Sequence, residues 1–374
     1  MKHILIFSSH APSLINFRLP LIKELLRKGN KVSVATTKYK FVDNLKNQLI
    51  YLGVNINIFS LSRSGLNFLQ DYKSYREMRT IIQNCKPDIV IAYTAKPVIY
   101  SGMILKKFPK IMYCPLITGL GYGFTADNSF RRIILKYLMI KLYQEGLKSA
   151  AKVIFQNKDD ENLFHKLKII KKNNLTRVVN GTGVDLNAYP FSVLPSKPIF
   201  LMISRLLVDK GVREYVEAAK IVRSRIPNIT FQLAGYLDEN PSGINFKELQ
   251  SWIKQGDIQY LGEIESVQSI LKSCRYYVLP SYREGTPRST LEALSTGRPV
   301  ITTDVPGCRE TVIHKKNGLL VPPKNSEALA KAMITLLEEK DETIQAMAKE
   351  SHLIAKNKYQ IEKVNKSILS IIGL

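Results

Sequence analysis

Leu279-Pro280-Ser281-Tyr282-Arg283-Glu284-Gly285-Thr286-Pro287-Arg288-Ser289-Thr290-Leu291-Glu292-Ala293-Leu294 decides how the rest of the chain is read. It follows the apolar run Tyr276–Leu279 and passes through a glycine-containing loop into a helix. Thr286 is an N-cap residue, Pro287 suits the first helical position and Gly297 suits the end. An apolar strand that feeds a helix this way is half of a parallel βαβ unit. Glu284 precedes the predicted helix and Glu292 falls about two turns inside it. An ionised carboxylate only accepts hydrogen bonds, so both suit hydroxyl donors such as a ribose diol or the hydroxyls of a sugar. Gly285 lets backbone approach a ligand closely. A dipole-capping Glu284 and a surface Glu292 are the structural alternative, weakened by the apolar neighbours Leu291, Ala293 and Leu294.

The same grammar extends in both directions. Upstream, Ile199–Ser204 is a strand, Arg213–Ser224 a helix and Thr230–Ala234 a strand ending at Gly235; Ile258–Leu261 follows. Downstream lie Val300–Thr302 and Leu319–Val321. The first half repeats the pattern with Ile4–Phe7, Lys31–Ala35, Ile56–Phe59, Ile89–Tyr93, Ile111–Cys114 and Val153–Gln156, separated by helices such as Leu19–Lys28 and Tyr72–Asn84. Near-continuous apolar strands alternating with helices indicate parallel sheets covered on both faces. Two α/β, Rossmann-like doubly wound domains are therefore expected, with ligands beyond the carboxyl ends of their strands. The expected boundaries are 1–187 for the first domain and 198–355 for the second. Asp185–Pro198, with Pro190, Pro195 and Pro198, reads as a linker. Residues 356–374 read as a closing amphipathic helix that packs back on the first domain.

One more junction is equipped for an anion. In Ser204-Arg205-Leu206-Leu207-Val208-Asp209-Lys210-Gly211, Arg205 stands where a strand ends, and Lys210-Gly211 where a helix begins. A helix start offers unpaired N–H groups and a positive dipole end. Two cations there make a diphosphate site or, more plainly, two solvated surface charges.

The 374 residues carry 55 Lys+Arg against 31 Asp+Glu, a net charge of +24. The excess is uneven: residues 1–187 hold 30 basic and 11 acidic side chains, and 188–374 hold 25 and 20. Such a field attracts nucleic acid, anionic lipid or phosphorylated ligands. No helix-turn-helix, zinc or RNA-recognition motif is present, and nucleic acid would not explain the two glutamates. Cys85, Cys114, Cys274 and Cys308 lack zinc-ligand spacing and read as scattered reduced thiols of a cytoplasmic protein. The apolar run in Met1–His10 is too short for a signal-peptide core, and no stretch reaches the roughly 18 apolar residues of a membrane span. Any membrane contact is expected to be peripheral.

With these residues in hand, the chain resembles the retaining glycosyltransferases of the GT-B fold, family four. The resemblance rests on Glu284 and Glu292 in their R-E-G-x-P setting and on Arg205 with Lys210-Gly211. It is extended by Gly262, Gly297-Arg298-Pro299-Val300, Pro306-Gly307, Glu310, Asn317-Gly318 and Val321-Pro322. It implies two domains facing across a cleft. It further implies that Arg205 and Lys210 hold the diphosphate of a UDP-sugar and that Glu284 contacts the donor sugar. Glu292 would bind ribose, and Gly285, Thr286, Pro287 and Leu291 would support the donor through backbone, with Gly119 and Asn16 added to the donor-binding set. It implies no cofactor and no metal; no D-x-D motif occurs, Asp159-Asp160 being adjacent. A UDP-sugar epimerase of the same architecture would need its own acid–base pair.

The Asn16-Phe17-Arg18, Lys96-Pro97, Thr118-Gly119-Leu120-Gly121-Tyr122 and Asp238-Glu239-Asn240-Pro241 stretches resemble a subgroup that builds bacterial capsule, O-antigen and N-glycan on lipid carriers. Some of its members add N-acetylgalactosamine to an undecaprenyl-diphosphate sugar. Arg18, Lys96, Thr118 and His10 are then the candidates for a polyprenyl-diphosphate-linked saccharide acceptor. Many relatives carry a histidine near Thr118; this chain has none there. The basic first half would gain about 1 kcal/mol per cation near an anionic inner-membrane surface. Ser64-Gly65-Leu66-Asn67-Phe68-Leu69 and Phe130–Leu147 mix apolar and basic residues and are the segments that would meet it, although the second reads first as a core helix.

Overall fold

The structure, a computed structural model, describes residues 1–38, 42–62, 67–120, 124, 130–170, 175–238, 240, 242–264 and 266–374, leaving aside the side chains of 42–46, 130–132 and 175. The expectations placed on residues 64–66, Gly121, Tyr122, Glu239 and Pro241, and on the side chains of Arg131 and Arg132, lie outside the described residues.

The chain forms two compact units, Met1–Thr182 with Val364–Leu374, and Gly183–Lys363. The first is built on seven strands: β1 His3–Phe7, β2 Lys31–Thr37, β3 Asn55–Phe59, β4 Ile89–Tyr93, β5 Met112–Ile117, β6 Lys152–Phe155 and β7 Leu175–Val178. They lie in the order β3-β2-β1-β4-β5-β6-β7, every pair parallel. Successive residues of β1 enter opposite cores, Leu5 and Phe7 on one face of the sheet and Ile4 and Ile6 on the other. That is the strand period of two with both faces buried, so the run is apolar throughout. Val364, Ile368 and Leu369 of the last helix, Ile361–Ile371, and Ile372 just beyond it complete the core on the Ile4 side.

The second unit has six strands: β8 Ile199–Ile203, β9 Thr230–Ala234, β10 Gln259–Gly262, β11 Tyr276–Leu279, β12 Val300–Thr303 and β13 Gly318–Val321. Their order is β10-β9-β8-β11-β12-β13, again all parallel. In each unit the winding reverses between the first and fourth strands, β1 beside β4 and β8 beside β11. Loops that leave the carboxyl ends of these pairs part company and open a crevice.

Two expectations need correction. Asp185–Pro198 is no linker: Leu194 is buried, and Leu186 and Tyr189 pack on the second unit's core. Its prolines shape a strap that the buried Arg298 holds by hydrogen bonds to Ser192. The Phe130–Gly146 helix is a core helix only in part. Tyr143 is buried, but Ile133, Ile134 and Tyr137 are each more than half exposed. β7 was not anticipated, because Leu-Thr-Arg-Val at a sheet edge needs no continuous apolar run. Among the described residues no helix is long and apolar enough to cross a membrane.

Candidate active site

Glycines at the carboxyl edge of the second sheet let its loops close on one another. Gly235 has φ +144°, and a Cβ there would lie 1.7 Å from the Ser204 carbonyl oxygen. Gly211 has φ +75°, and its Cβ would lie 2.2 Å from the Pro280 oxygen. Only glycine fits such contacts at positive φ. The loop after β8 therefore reaches the loop after β11, where Tyr282 N–H donates to the Asp209 carbonyl at 2.8 Å.

That contact fixes the central pair. Lys210 closes the short 3₁₀ turn Val208–Lys210 before the Val212–Arg225 helix. Its Nζ lies 2.5 Å from Glu284 Oε1, with the two side chains 17% and 14% exposed. Ser281 Oγ donates to the same carboxylate oxygen at 2.7 Å, and Glu284 N–H donates to the Pro306 carbonyl at 3.0 Å. A Cβ on Gly307 would meet the Glu284 carbonyl oxygen at 2.3 Å, so the glutamate's backbone is gripped from both sides. Arg205, next after the Ser204 that follows β8, donates from Nη1 to Asp238 Oδ2 at 2.9 Å.

Beyond Glu284 the chain enters the helix Arg288–Ser295. Pro287, expected at the first helical position, is the N-cap residue, and the Thr286 hydroxyl donates to the Gly285 carbonyl at 2.9 Å. Proline at the cap pushes Thr286 one residue outside the place it was expected to fill. Gly297 ends the helix as expected, with φ +80°. Leu291 is fully buried and its N–H bonds the Pro287 carbonyl at 3.2 Å. Glu292 is buried about one turn into the helix and accepts from Arg288 Nε at 2.7 Å. Burial raises its carboxyl above the ordinary 4.5, and Arg288 and the Tyr189 hydroxyl partly offset that. Second-unit residues thus supply two cations, each facing a carboxylate, and a buried carboxylate behind them. Among the described residues no three His, Cys, Asp or Glu side chains group as a metal site.

The first unit places its candidates at the corresponding edge. His10 follows β1, Lys96 and its helix Ala95–Leu105 follow β4, and Thr118-Gly119 follow β5. Asn16 is exposed in the one-turn π-helix Leu14–Arg18. Arg18 is buried, its guanidinium 4.7 Å over the Tyr93 ring. Tyr93 Oη and Ser13 Oγ hydrogen-bond at 2.9 Å, as do Ser13 Oγ and Ser8 Oγ. Lys96 pairs with Asp71 at 2.7 Å, both sides largely buried. Thr94 has φ +70°, a strained conformation for a β-branched residue, and its hydroxyl donates to Ser9 Oγ at 2.8 Å. Asp71, Tyr93 and Tyr189 escape sequence reasoning because each is defined by a partner distant in sequence, whereas Asp238 is visible only as part of a family stretch.

Residues 197–339 match the family profile "Glycosyl transferases group 1", and residues 3–157 match "Glycosyl transferase 4-like". The chain is 30% identical over 349 residues, 89% of each chain, to the N,N'-diacetylbacillosaminyl-diphospho-undecaprenol alpha-1,3-N-acetylgalactosaminyltransferase of Campylobacter jejuni. It is 22% identical, over 74% of this chain and 73% of the other, to the UDP-Gal:alpha-D-GlcNAc-diphosphoundecaprenol alpha-1,3-galactosyltransferase of Escherichia coli. Among solved structures, sucrose-phosphate synthase from Thermosynechococcus elongatus superposes with a TM-score of 0.81 at 18% identity, covering 100% of this chain and 98% of that one. Two Rossmann-like units, the two matched profiles and that degree of identity assign the chain to the group 1 glycosyltransferases of family four, with the GT-B fold.

Proposed function

We propose that this glycosyltransferase moves a sugar, N-acetylgalactosamine or another hexosamine, from its UDP donor to a polyprenyl-diphosphate-linked saccharide, with an α linkage and retained configuration. The observation that carries the reading is the meeting of Lys210 with Glu284 at 2.5 Å beside the β8/β11 switch point. One group suits an anionic leaving group and the other accepts from sugar hydroxyls. The names of the Campylobacter and Escherichia coli relatives support the donor and acceptor classes.

In this reading Arg205 and Lys210 hold the diphosphate and stabilise the charge that develops on departing UDP, the kind of effect that usually dominates catalysis. No metal is required for that task. Glu284 orients the donor sugar, Glu292 accepts from the ribose diol, and Gly285–Pro287 line the approach. The anomeric carbon loses its bond to the β-phosphate oxygen and gains one to the acceptor oxygen on the same face. The acceptor's proton passes to the departing phosphate. His10, Arg18, Lys96 and Thr118 serve the acceptor, whose diphosphate competes with Asp71 for Lys96.

The test is UDP release with a panel of UDP-sugars and an undecaprenyl-diphosphate-linked hexosamine. Turnover that requires both substrates is the expected result. Turnover with a GDP- or ADP-sugar and none with the UDP panel would refute the donor assignment.

The acceptor's carrier lies in a membrane, and the chain's basic first half suits the inner face of the cytoplasmic membrane. Phe68, Leu69 and Tyr72 at the start of the Phe68–Cys85 helix, with Ile133, Ile134 and Tyr137, are exposed apolar groups among Lys73, Arg76, Lys136 and Lys141. Flotation with phosphatidylglycerol vesicles is expected at low salt, weakening as salt rises. Absence of flotation at low salt would end the membrane assignment.

A further inference from the structure

We infer that Asp238 is a built-in counter-ion that competes with the donor's diphosphate for Arg205 and thereby sets how fast UDP leaves. The inference rests on Arg205 being part of the diphosphate clamp.

Three observations carry it. First, Asp238 is held in place by backbone. Leu206 N–H donates to the Tyr236 carbonyl (3.0 Å), Val208 N–H to Ser242 (2.8 Å) and Ile244 N–H to Leu206 (2.9 Å), so Tyr236 on one side and Ser242 and Ile244 on the other clasp the segment between Arg205 and Lys210. The turn is tight: a Cβ on Gly243 would lie 2.2 Å from the Asp238 carbonyl oxygen. Second, the two oxygens of the carboxylate have separate tasks. Oδ1 accepts from Asn240 N–H at 2.9 Å and closes the turn, while Oδ2 accepts from Arg205 at 2.9 Å. Third, the carboxylate is more sheltered than the guanidinium, 19% against 41% exposed, so the arginine is the partner with room to turn toward a ligand.

Glu284, facing Lys210, has a hydroxyl ligand to justify its charge in an anion site. Asp238 has none assigned. A negative group fixed beside a diphosphate raises the free energy of the bound nucleotide, because like charges in a partly sheltered site repel. It also offers Arg205 a partner when the nucleotide departs. The clamp is thus charge-balanced when empty, and UDP must displace an internal anion to bind.

Asp238→Asn tests this. The amide oxygen keeps the bond from Asn240 N–H, and the amide nitrogen ends the pairing with Arg205. UDP is expected to bind roughly fivefold to tenfold more tightly by calorimetry, and to dissociate more slowly by a similar factor in stopped-flow displacement, the scale of one screened like charge. The donor KM falls with it. Asp238→Ser, which also keeps an acceptor for the turn, is expected to move affinity in the same direction, and thermal unfolding without nucleotide verifies that both variants fold. In an Arg205→Ala background the effect of Asp238→Asn should shrink to the direct repulsion between carboxylate and diphosphate, because the competition for the guanidinium is gone. Unchanged or weaker UDP binding in folded Asp238→Asn and Asp238→Ser would overturn the inference and make Asp238 an aligner of Arg205. Unchanged UDP affinity in Arg205→Ala alone would instead overturn the clamp on which it rests.

Discussion

Lys210→Ala is expected to lower turnover by roughly 10²–10³ while leaving the protein folded. That is the scale for losing one preorganised group aimed at a developing negative charge, about 2.7–4 kcal/mol of the barrier. The ammonium is sheltered between the loops after β8 and β11, where no bulk water replaces it readily. Its removal also leaves Glu284 with the Ser281 hydroxyl but without its cation, at a stability cost of about 1–3 kcal/mol. The two effects separate in a double variant. Adding Glu284→Gln should restore the lost stability and none of the lost turnover. Lys210→Arg keeps the charge but brings a planar fork into a turn whose next residue, Gly211, has no room even for a Cβ against Pro280. Partial recovery is expected from it. A kcat for Lys210→Ala within about threefold of the unaltered enzyme would remove Lys210 from the chemistry. Arg205, more exposed and paired with Asp238, should show a greater share of its effect in nucleotide binding.

Much of this was legible in the sequence because doubly wound sheets advertise themselves. Runs such as Ile89–Tyr93, buried at every position, have no solvated face to interrupt them. Doubly wound sheets bind ligands in the loops at the carboxyl ends of their strands, and Arg205, Lys210 and Glu284 stand in such loops. What stayed hidden is what depends on contact between distant segments. Nothing near Lys96 announces Asp71, and nothing near Arg205 announces its pairing with Asp238 across 33 residues. The strap at Asp185–Pro198 misled because three prolines signal an irregular backbone without saying whether it is packed. Leu194 and Ser192 are held by groups much later in the chain. Exposed Ile133, Ile134 and Tyr137 show the converse error: an apolar run names residues that avoid water, and here part of it does not.

Arg298→Ala should strongly destabilise the second unit, with activity lost through unfolding rather than through chemistry. Arg298 belongs to the family stretch Gly297-Arg298-Pro299-Val300, yet its side chain is fully buried and faces carbonyl groups. Nη1 donates to the Cys274 carbonyl at 2.8 Å, and Nη2 donates to Ser192 Oγ at 2.7 Å, to the Thr296 carbonyl at 2.9 Å and to the Ser192 carbonyl. The guanidinium therefore joins the entry to β11, the end of the Arg288–Ser295 helix and the proline strap. Burial works against its charge and lowers its affinity for the proton, so only the hydrogen bonds make the position tenable. Truncation leaves those acceptors unmatched around a cavity, at a cost of about 3–5 kcal/mol. For a unit of this size that corresponds to a fall in Tm of roughly 10 °C or more. Arg298→Lys, with a charge but no fork, should fall between. Arg298→Met, which fills the space and satisfies no carbonyl, should resemble alanine more than lysine does. Thermal unfolding and UDP binding measured together distinguish this from Lys210→Ala: here both are lost at the same temperature, there binding and turnover are already lowered in the folded protein, far below its melting point. A Tm for Arg298→Ala within about 2 °C of the unaltered protein, the shift expected for less than 1 kcal/mol, would show that the strap is held by its apolar contacts alone.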